Sequence, residues 1–254
     1  MELIDTHCHF DEPEFDTDRD LITDKMYQLG VKSLIFPAIS AKKWPKLKQV
    51  VAQSPYFYAS YGLHPLYLAE HEPAHLATLR QWIDRENPVA IGECGLDFYV
   101  PELNVTAQEI LFIEQLKLAR EFDLPLIIHA RRSVDAVLKQ LRRFRGLKGV
   151  IHSFAGSQQQ ADMLIQQGFY LGVGGTCTYP RASRLRTILA TIPLEHLVLE
   201  TDAPDQPDSA WRGLRNEPTR LPFIAATLAE LRNDTIEHIA HITTGNARTL
   251  FNLS

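Results

Sequence analysis

The sequence predicts an α/β fold, a single (β/α)₈ TIM barrel, on three observations. Apolar runs alternate with helix-like segments eight times along the chain, the repeat that builds a parallel sheet from strand–helix units. The runs are continuous, as in Leu126-Ile127-Ile128 and Leu197-Val198-Leu199, which is how strands covered on both faces read. The length, 254 residues, matches the roughly 250 that one barrel takes. An open doubly wound sheet is the rival, but no Gly-x-Gly-x-x-Gly turn follows the first strand. No low-complexity linker or identical repeat interrupts the chain, so residues 1–254 read as one barrel domain.

The elements follow in order. Leu3 to His9 opens as a strand. The next segment, Phe15 to Leu29, has Asp16, Asp18 and Asp20 near its start and stops at Gly30, as a capped helix does. Val31 to Phe36 is the second strand and Trp44 to Ala52 the second helix. Tyr56 to Tyr61 is the third strand, ending in Gly62-Leu63-His64-Pro65, and Ala74 to Arg85 is its helix. Pro88 to Glu93 is the fourth strand, and Thr106 to Phe122 a long amphipathic helix with apolar spacing near 3.6. Pro125 to His129, Gly149 to His152, Phe169 to Val173 and Leu197 to Asp202 are strands five to eight. Their helices run over Val134 to Phe144, Gln158 to Gln167 and Ala182 to Ala190, with two or three more from Pro222 to Phe251.

Composition narrows the classes. At 45% hydrophobic and 22% charged residues the chain is globular rather than disordered. A net charge of −5 with no basic stripe argues against an extended grip on duplex nucleic acid. Single-stranded DNA ends stay open as partners, because a metal centre supplies local positive charge. Cys8, Cys94 and Cys177 form no Cys-x-x-Cys pair and no even framework, which points to a reducing compartment. With no basic n-region and no apolar run of membrane-spanning length, the expectation is a cytoplasmic protein with no membrane and no protein partner.

The chemistry lies at the strand ends. On a strand His7 and His9 point the same way and Cys8 the other, so both imidazoles can grip one ion. Glu93, His129, His152 and Asp202 close strands four, five, six and eight, the rim where barrel enzymes build their sites. Singly, each has a plain structural reading: Asp202 as a helix cap, His129 as a satisfied core histidine, Glu93 as a holder of a backbone amide. Six on one rim reverse that weighting. Four imidazoles and two carboxylates exceed the needs of one tetrahedral ion, so two ions are expected, with Glu93 as the bridge. One would take His7, His9 and Asp202, the other His129 and His152. Paired divalent ions about 3.5–4 Å apart hold attacking and leaving oxygens and bring bound water to a pKa of about 7. Asp202 could accept its proton, so Asp202 and Glu93 are the candidate catalytic carboxylates. The mixed N/O set puts zinc first, with manganese, cobalt or magnesium as alternatives.

Five strand-end segments carry a family resemblance: His7-Cys8-His9-Phe10-Asp11, Gly92 to Asp97, Ile128 to Arg131, His152 to Gly156 and Glu200 to Pro204. With Arg215 to Pro218 and Thr244 to Ala247, they resemble the signatures of the TatD-type metal-dependent hydrolases, most of all the YjjV-type members. The resemblance runs from the first strand to the last helix. It implies a barrel of the metallo-dependent hydrolase type, two divalent cations and hydrolysis of phosphoester bonds, in several members as a 3′-directed DNase. The six named side chains match the family's metal ligands one for one. Cys94, Arg132 and Asp205 depart from its usual residues beside the ligands.

Other residues sit near the rim. His64 is a candidate substrate contact, or else a turn histidine. Arg131 could clasp a phosphate with two N–H groups, whereas Arg132 reads equally as a helix-start arginine facing water. Phe10, Phe98 and Tyr99 could stack a nucleobase or pack the barrel mouth. Asn216 and Glu217 could cover the site, and loop polarity explains them as well. Cys8 and Cys94 read as buried packing, and His71, His75, His196, His238 and His241 as fillers. The functional reading is a metal-dependent phosphodiesterase or deoxyribonuclease. The alternatives are a binuclear amidohydrolase or lactonase acting on a small molecule, and a non-catalytic barrel around one structural metal.

Overall fold

The computed structural model describes residues 1–253. Eight parallel strands lie side by side in chain order: β1 (Leu3–Asp5), β2 (Val31–Pro37), β3 (Phe57–Tyr61), β4 (Ala90–Asp97), β5 (Leu126–Arg131), β6 (Gly149–Ile151), β7 (Phe169–Val173) and β8 (Leu197–Leu199). Backbone bonds just past the strand ends join β8 to β1. Thr6 N–H donates to Leu199 O at 3.0 Å, Asp202 N–H to His7 O at 2.8 Å and His9 N–H to Ala203 O at 2.8 Å. The barrel closes there without a long ladder.

Each strand contributes one side chain to an interior ring: Ile4, Ile35, Tyr58, Ala90, Ile127, Val150, Tyr170 and Val198. The other strand face packs on the helices α1 (Arg19–Gln28), α2 (Trp44–Val51), α3 (Pro73–Glu86), α4 (Val105–Phe122), α5 (Val134–Leu141), α6 (Gln158–Gln166), α7 (Ser183–Thr191) and α8 (Leu221–Arg232). Being apolar on both faces is why the strands read as unbroken hydrophobic runs. A last helix, α9 (Ile236–Phe251), lays Ala247, Leu250 and Phe251 against the ring and plugs the bottom of the barrel. Among the described residues no helix is long and apolar enough to cross a membrane.

Two helical segments differ from the sequence expectation. Pro13–Phe15 forms a separate 3-10 turn, and α1 starts only at Arg19. The early acids are engaged elsewhere: Asp16 accepts from Arg19 at 2.6 Å and Lys46 at 2.9 Å, and Asp18 from Arg215 at 2.6 Å. After β3, Pro65–Glu70 forms a further 3-10 segment that hydrophobic periodicity does not reveal.

Candidate metal centre

Plain alternation delivers the histidines of β5 and β6. His129 and His152 each stand two residues beyond a ring member, Ile127 and Val150, and so share its interior face. Glu93 and His7 stand three beyond theirs, Ala90 and Ile4, and would face the helices in regular strands. The pairing of β4 with β5 jumps from Ile91 opposite Leu126 to Cys94 opposite Ile128. That one extra residue turns Glu93 inward and Cys94 outward. Beyond β1 a similar break occurs: Thr6 N–H goes to Leu199 O of β8, but Cys8 N–H to Ile35 O of β2. A regular strand would send both the same way.

The expected strand ends move: β5 runs past His129 to Arg131, and His152 lies one residue beyond β6. Glu93 does not close β4, which runs on to Asp97. His7 and His9 lie past β1, and Asp202 past β8. The Asp5 carboxylate replaces the ladder there, accepting Thr201 N–H at 2.9 Å, the Thr201 hydroxyl at 2.6 Å and His7 N–H at 3.3 Å.

The side chains nonetheless converge, in two clusters that share Glu93. Glu93 Oε2 lies 3.3 Å from His7 Nε2 and 3.5 Å from His9 Nε2, while Asp202 Oδ1 lies 3.4 and 3.6 Å from the same nitrogens. The two imidazole nitrogens are 3.3 Å apart. A tetrahedral ion holding N and O ligands at about 2.1 Å spaces them about 3.4 Å apart, which these five distances match, and His7, His9 and Asp202 form a group close enough to hold an ion. Glu93 Oε1 faces the second cluster, with His129 Nδ1 at 3.2 Å, and His152 Nε2 and His64 Nε2 both at 3.0 Å. Three overlapping groups of His, Asp and Glu in this centre have donor atoms close enough for an ion.

Outer hydrogen bonds fix the rings. His9 Nδ1 meets Pro37 O at 3.1 Å, which leaves Nε2 free to ligate. His129 is turned the other way: its Nε2–H donates to Asp97 Oδ2 at 2.9 Å, so Nδ1 faces the centre. Asp97 is itself held by Tyr99 N–H at 2.8 Å and Val100 N–H at 3.3 Å. Beneath His152, Glu200 Oε1 accepts Ser153 N–H at 2.5 Å and lies 3.7 Å from His152 Nδ1. Gly172 makes room for Glu200, since a Cβ there would come within 2.2 Å of its Oε2. Asp202 keeps Oδ1 toward the histidines because Gln206 donates to Oδ2 at 2.5 Å.

Electrostatics match the crowding. Burial alone would raise the Glu93 carboxyl, but the facing His64, His152 and His7 imidazoles outweigh it and hold it well below the usual range. Burial, with His152 alongside, pushes His7 down, and burial lifts Asp202 to about 6. His129 rises because the Asp97 and Glu93 bonds overcome burial.

His64 is buried against Glu93 rather than projecting into the mouth. Its Nδ1 accepts Leu66 N–H at 3.1 Å, so in the neutral ring Nε2 carries the proton and donates to Glu93 Oε1. Burial lowers its pKa to about 4. Arg131 continues the alternation of Ile127 and His129 into the mouth, its guanidinium 3.6 Å from the Tyr99 ring centroid. Phe10 is fully buried beside Phe15, Phe36 and Phe57, so it packs the shell and cannot stack a base. Cys8 and Cys94 are buried as expected. Asn216 braces the loop after β8, donating to Thr201 O at 2.8 Å and Asp205 O at 2.7 Å.

Asp97, Glu200 and Gln206 were not assigned from the sequence. Asp97 shares a strand face with Glu93, and Glu200 falls two residues before Asp202, so the period-2 pattern held the signal for both. Nothing comparable marks Gln206.

Residues 4–252 match the family model described as TatD related DNase. The chain is 42% identical over 254 residues to the uncharacterized metal-dependent hydrolase YjjV of Escherichia coli K12, covering 99% of this chain and 98% of that one. It is 32% identical over 254 residues to the uncharacterized metal-dependent hydrolase YabD of Bacillus subtilis 168, covering 99% and 100%. The crystal structure of the Escherichia coli K12 YjjV, a TatD homolog, superposes with a TM-score of 0.96 at 41% identity, covering 99% of this chain and 98% of that one.

Proposed function

The chain belongs to the TatD-related DNase family of metal-dependent hydrolases, and from that premise we propose that it hydrolyses phosphoester bonds at a two-ion centre. One observation carries the reading: Glu93 divides its two oxygens between two donor clusters, Oε2 toward His7 and His9, Oε1 toward His129 and His152. His7, His9 and Asp202 would hold one ion and His129 and His152 the other, with Glu93 between them. When bound, such a pair acidifies water at neutral pH and stabilises the charge that develops on the leaving oxygen. Glu93 and Asp202 are the only carboxylates of the six, so the loaded centre stays cationic and takes an anionic substrate. Zinc, manganese, cobalt and magnesium are the candidates, and single-stranded DNA ends a candidate substrate.

The chain's own groups divide the work. Asp202 offers Oδ1 to the incoming water and takes its proton, while Gln206 holds the other oxygen still. His64, expected as a substrate contact, has both ring nitrogens engaged and acts instead by donating to Glu93 and holding the shared carboxylate. Arg131, resting on Tyr99, offers its fork to a phosphate. Asp97 is a positioning residue for His129. Asp97→Asn should weaken binding at the His129–His152 position by about 10–100-fold, as losses of outer partners of ligands do. Metal titration calorimetry reads this directly: one of two binding steps weakens and the other is unchanged.

The function is tested by loading chelator-stripped protein with zinc, manganese or magnesium. Phosphodiester, phosphomonoester, amide and lactone panels are then assayed, with His129→Ala and Asp202→Asn alongside. Phosphoester turnover that returns with metal and falls by about a hundredfold or more in both variants is expected. Lactone or amide turnover with silence on every phosphoester would overturn the proposal.

A further inference from the structure

Above the centre, the mouth is electrically lopsided. Its wall beyond β5 and at the start of α7 carries Arg131, Arg132 and Arg184. Among the described residues, Arg132 and Arg184 have no carboxylate within 4.0 Å. Arg131 has only Asp97 Oδ2, at 4.0 Å, an oxygen already taken by His129. Asp135 on the same wall accepts from Gln160 at 2.8 Å. Across the mouth the one lysine, Lys43, is neutralised by Glu12 at 2.6 Å. Behind the rim, arginines are paired: the Arg220 fork closes on Asp208 at 2.7 and 3.2 Å, and Arg215 on Asp18 at 2.6 and 3.1 Å.

The three guanidiniums are also held. Arg131 and Arg132 lie 3.6 and 4.7 Å from the centroid of the same Tyr99 ring, which restrains both side chains without using their N–H donors. Arg184 makes a single 3.4 Å bond to Ala155 O and keeps its other donors free. Three exposed guanidiniums without a carboxylate of their own, on a chain of net charge −5, make a local positive patch that attracts an anionic ligand. Guanidinium forks match phosphate geometry two bonds at a time.

We infer that this wall, Arg131 with Arg132 and Arg184, is a second anion subsite, so that the substrate carries a phosphate beyond the one engaged at the metal centre. The inference rests on the phosphoester reading. The second group is the next phosphate of a strand or the other phosphate of a nucleotide.

Calorimetry on the manganese-loaded full chain separates the outcomes. The ligands are deoxythymidine 3′- and 5′-monophosphate, deoxythymidine 3′,5′-bisphosphate and a hydrolysis-resistant phosphorothioate dinucleotide with a 5′-phosphate. At least one of the two-phosphate ligands should bind about tenfold or more tighter than the better monophosphate, and which one gains identifies the source. The Arg132→Gln/Arg184→Gln double variant should bring the ratio close to one, while Arg145→Gln, on another face, keeps it. Equal affinities in the unaltered protein, or a ratio that survives the double variant, would overturn the subsite while leaving the phosphoester reading in place. No binding of any phosphate ligand would remove both.

Discussion

Glu93→Gln is expected to cost about a hundred- to a thousandfold in kcat/KM, the scale set by removing a single group that stabilises developing charge, and, for the proposed two-ion centre, to lower the bound metal from two ions to one or none. The argument is geometric. Gln has the volume of Glu and keeps one carbonyl oxygen, but its other terminus becomes an NH₂ that cannot ligate. Both Glu93 oxygens face imidazole nitrogens at 3.0–3.5 Å, so whichever way the amide turns, one cluster loses a ligating oxygen and both lose the shared negative charge. The fold should survive, because the amide can still hydrogen-bond the surrounding rings and the bulge that aims residue 93 lies in the backbone. Metal content by mass spectrometry and the melting temperature are the paired measurements. A variant retaining two tightly bound ions and full turnover would remove Glu93 from the centre.

How far the sequence reached can be judged at the same residues. The apolar blocks Leu126-Ile127-Ile128 and Gly149-Val150-Ile151 ran straight into His129 and His152, and simple alternation put both imidazoles where the structure has them. Glu93 and His7 were legible as residue types toward the mouth ends of the fourth and first strands, yet the mechanism that aims them was not. An extra residue in β4 changes nothing in the local run of apolar letters, since Ile91 and Cys94 are buried with or without it. The outer bonds were lost for a different reason. The period-2 pattern marks Asp97 and Glu200 but not their partners: Asp97 to His129 spans 32 positions and Glu200 to Ser153 spans 47, distances over which periodicity carries no information. For Phe10 the sequence left stacking on a base and packing both open, and the fully buried ring decides for packing.

The largest effect on stability is expected at the other end of the barrel. Phe251→Ala should destabilise the protein by about 3–5 kcal/mol, the usual cost of emptying a buried phenylalanine site. Phe251 is 2% exposed and, with Ala247 and Leu250, closes the ring of Ile4, Ile35, Ile127 and Val198 from below. Relaxation cannot readily fill the gap, because the eight strands fix the width of the barrel and α9 is tied at Thr244 and Asn246 to Glu2 O, Leu194 O and Leu197 O. For a chain of this size the loss corresponds to a fall of about 10 °C in Tm. The six candidate ligands stand beyond the ring toward the opposite mouth, and none of their hydrogen bonds involves α9. Metal affinity measured well below the transition should therefore match the unaltered protein, since stability and chemistry are assigned to opposite ends of the barrel. A Tm within a degree or two of the original would show that the plug does not hold the barrel closed. Weakened metal binding in the folded variant would show that the two ends are mechanically coupled.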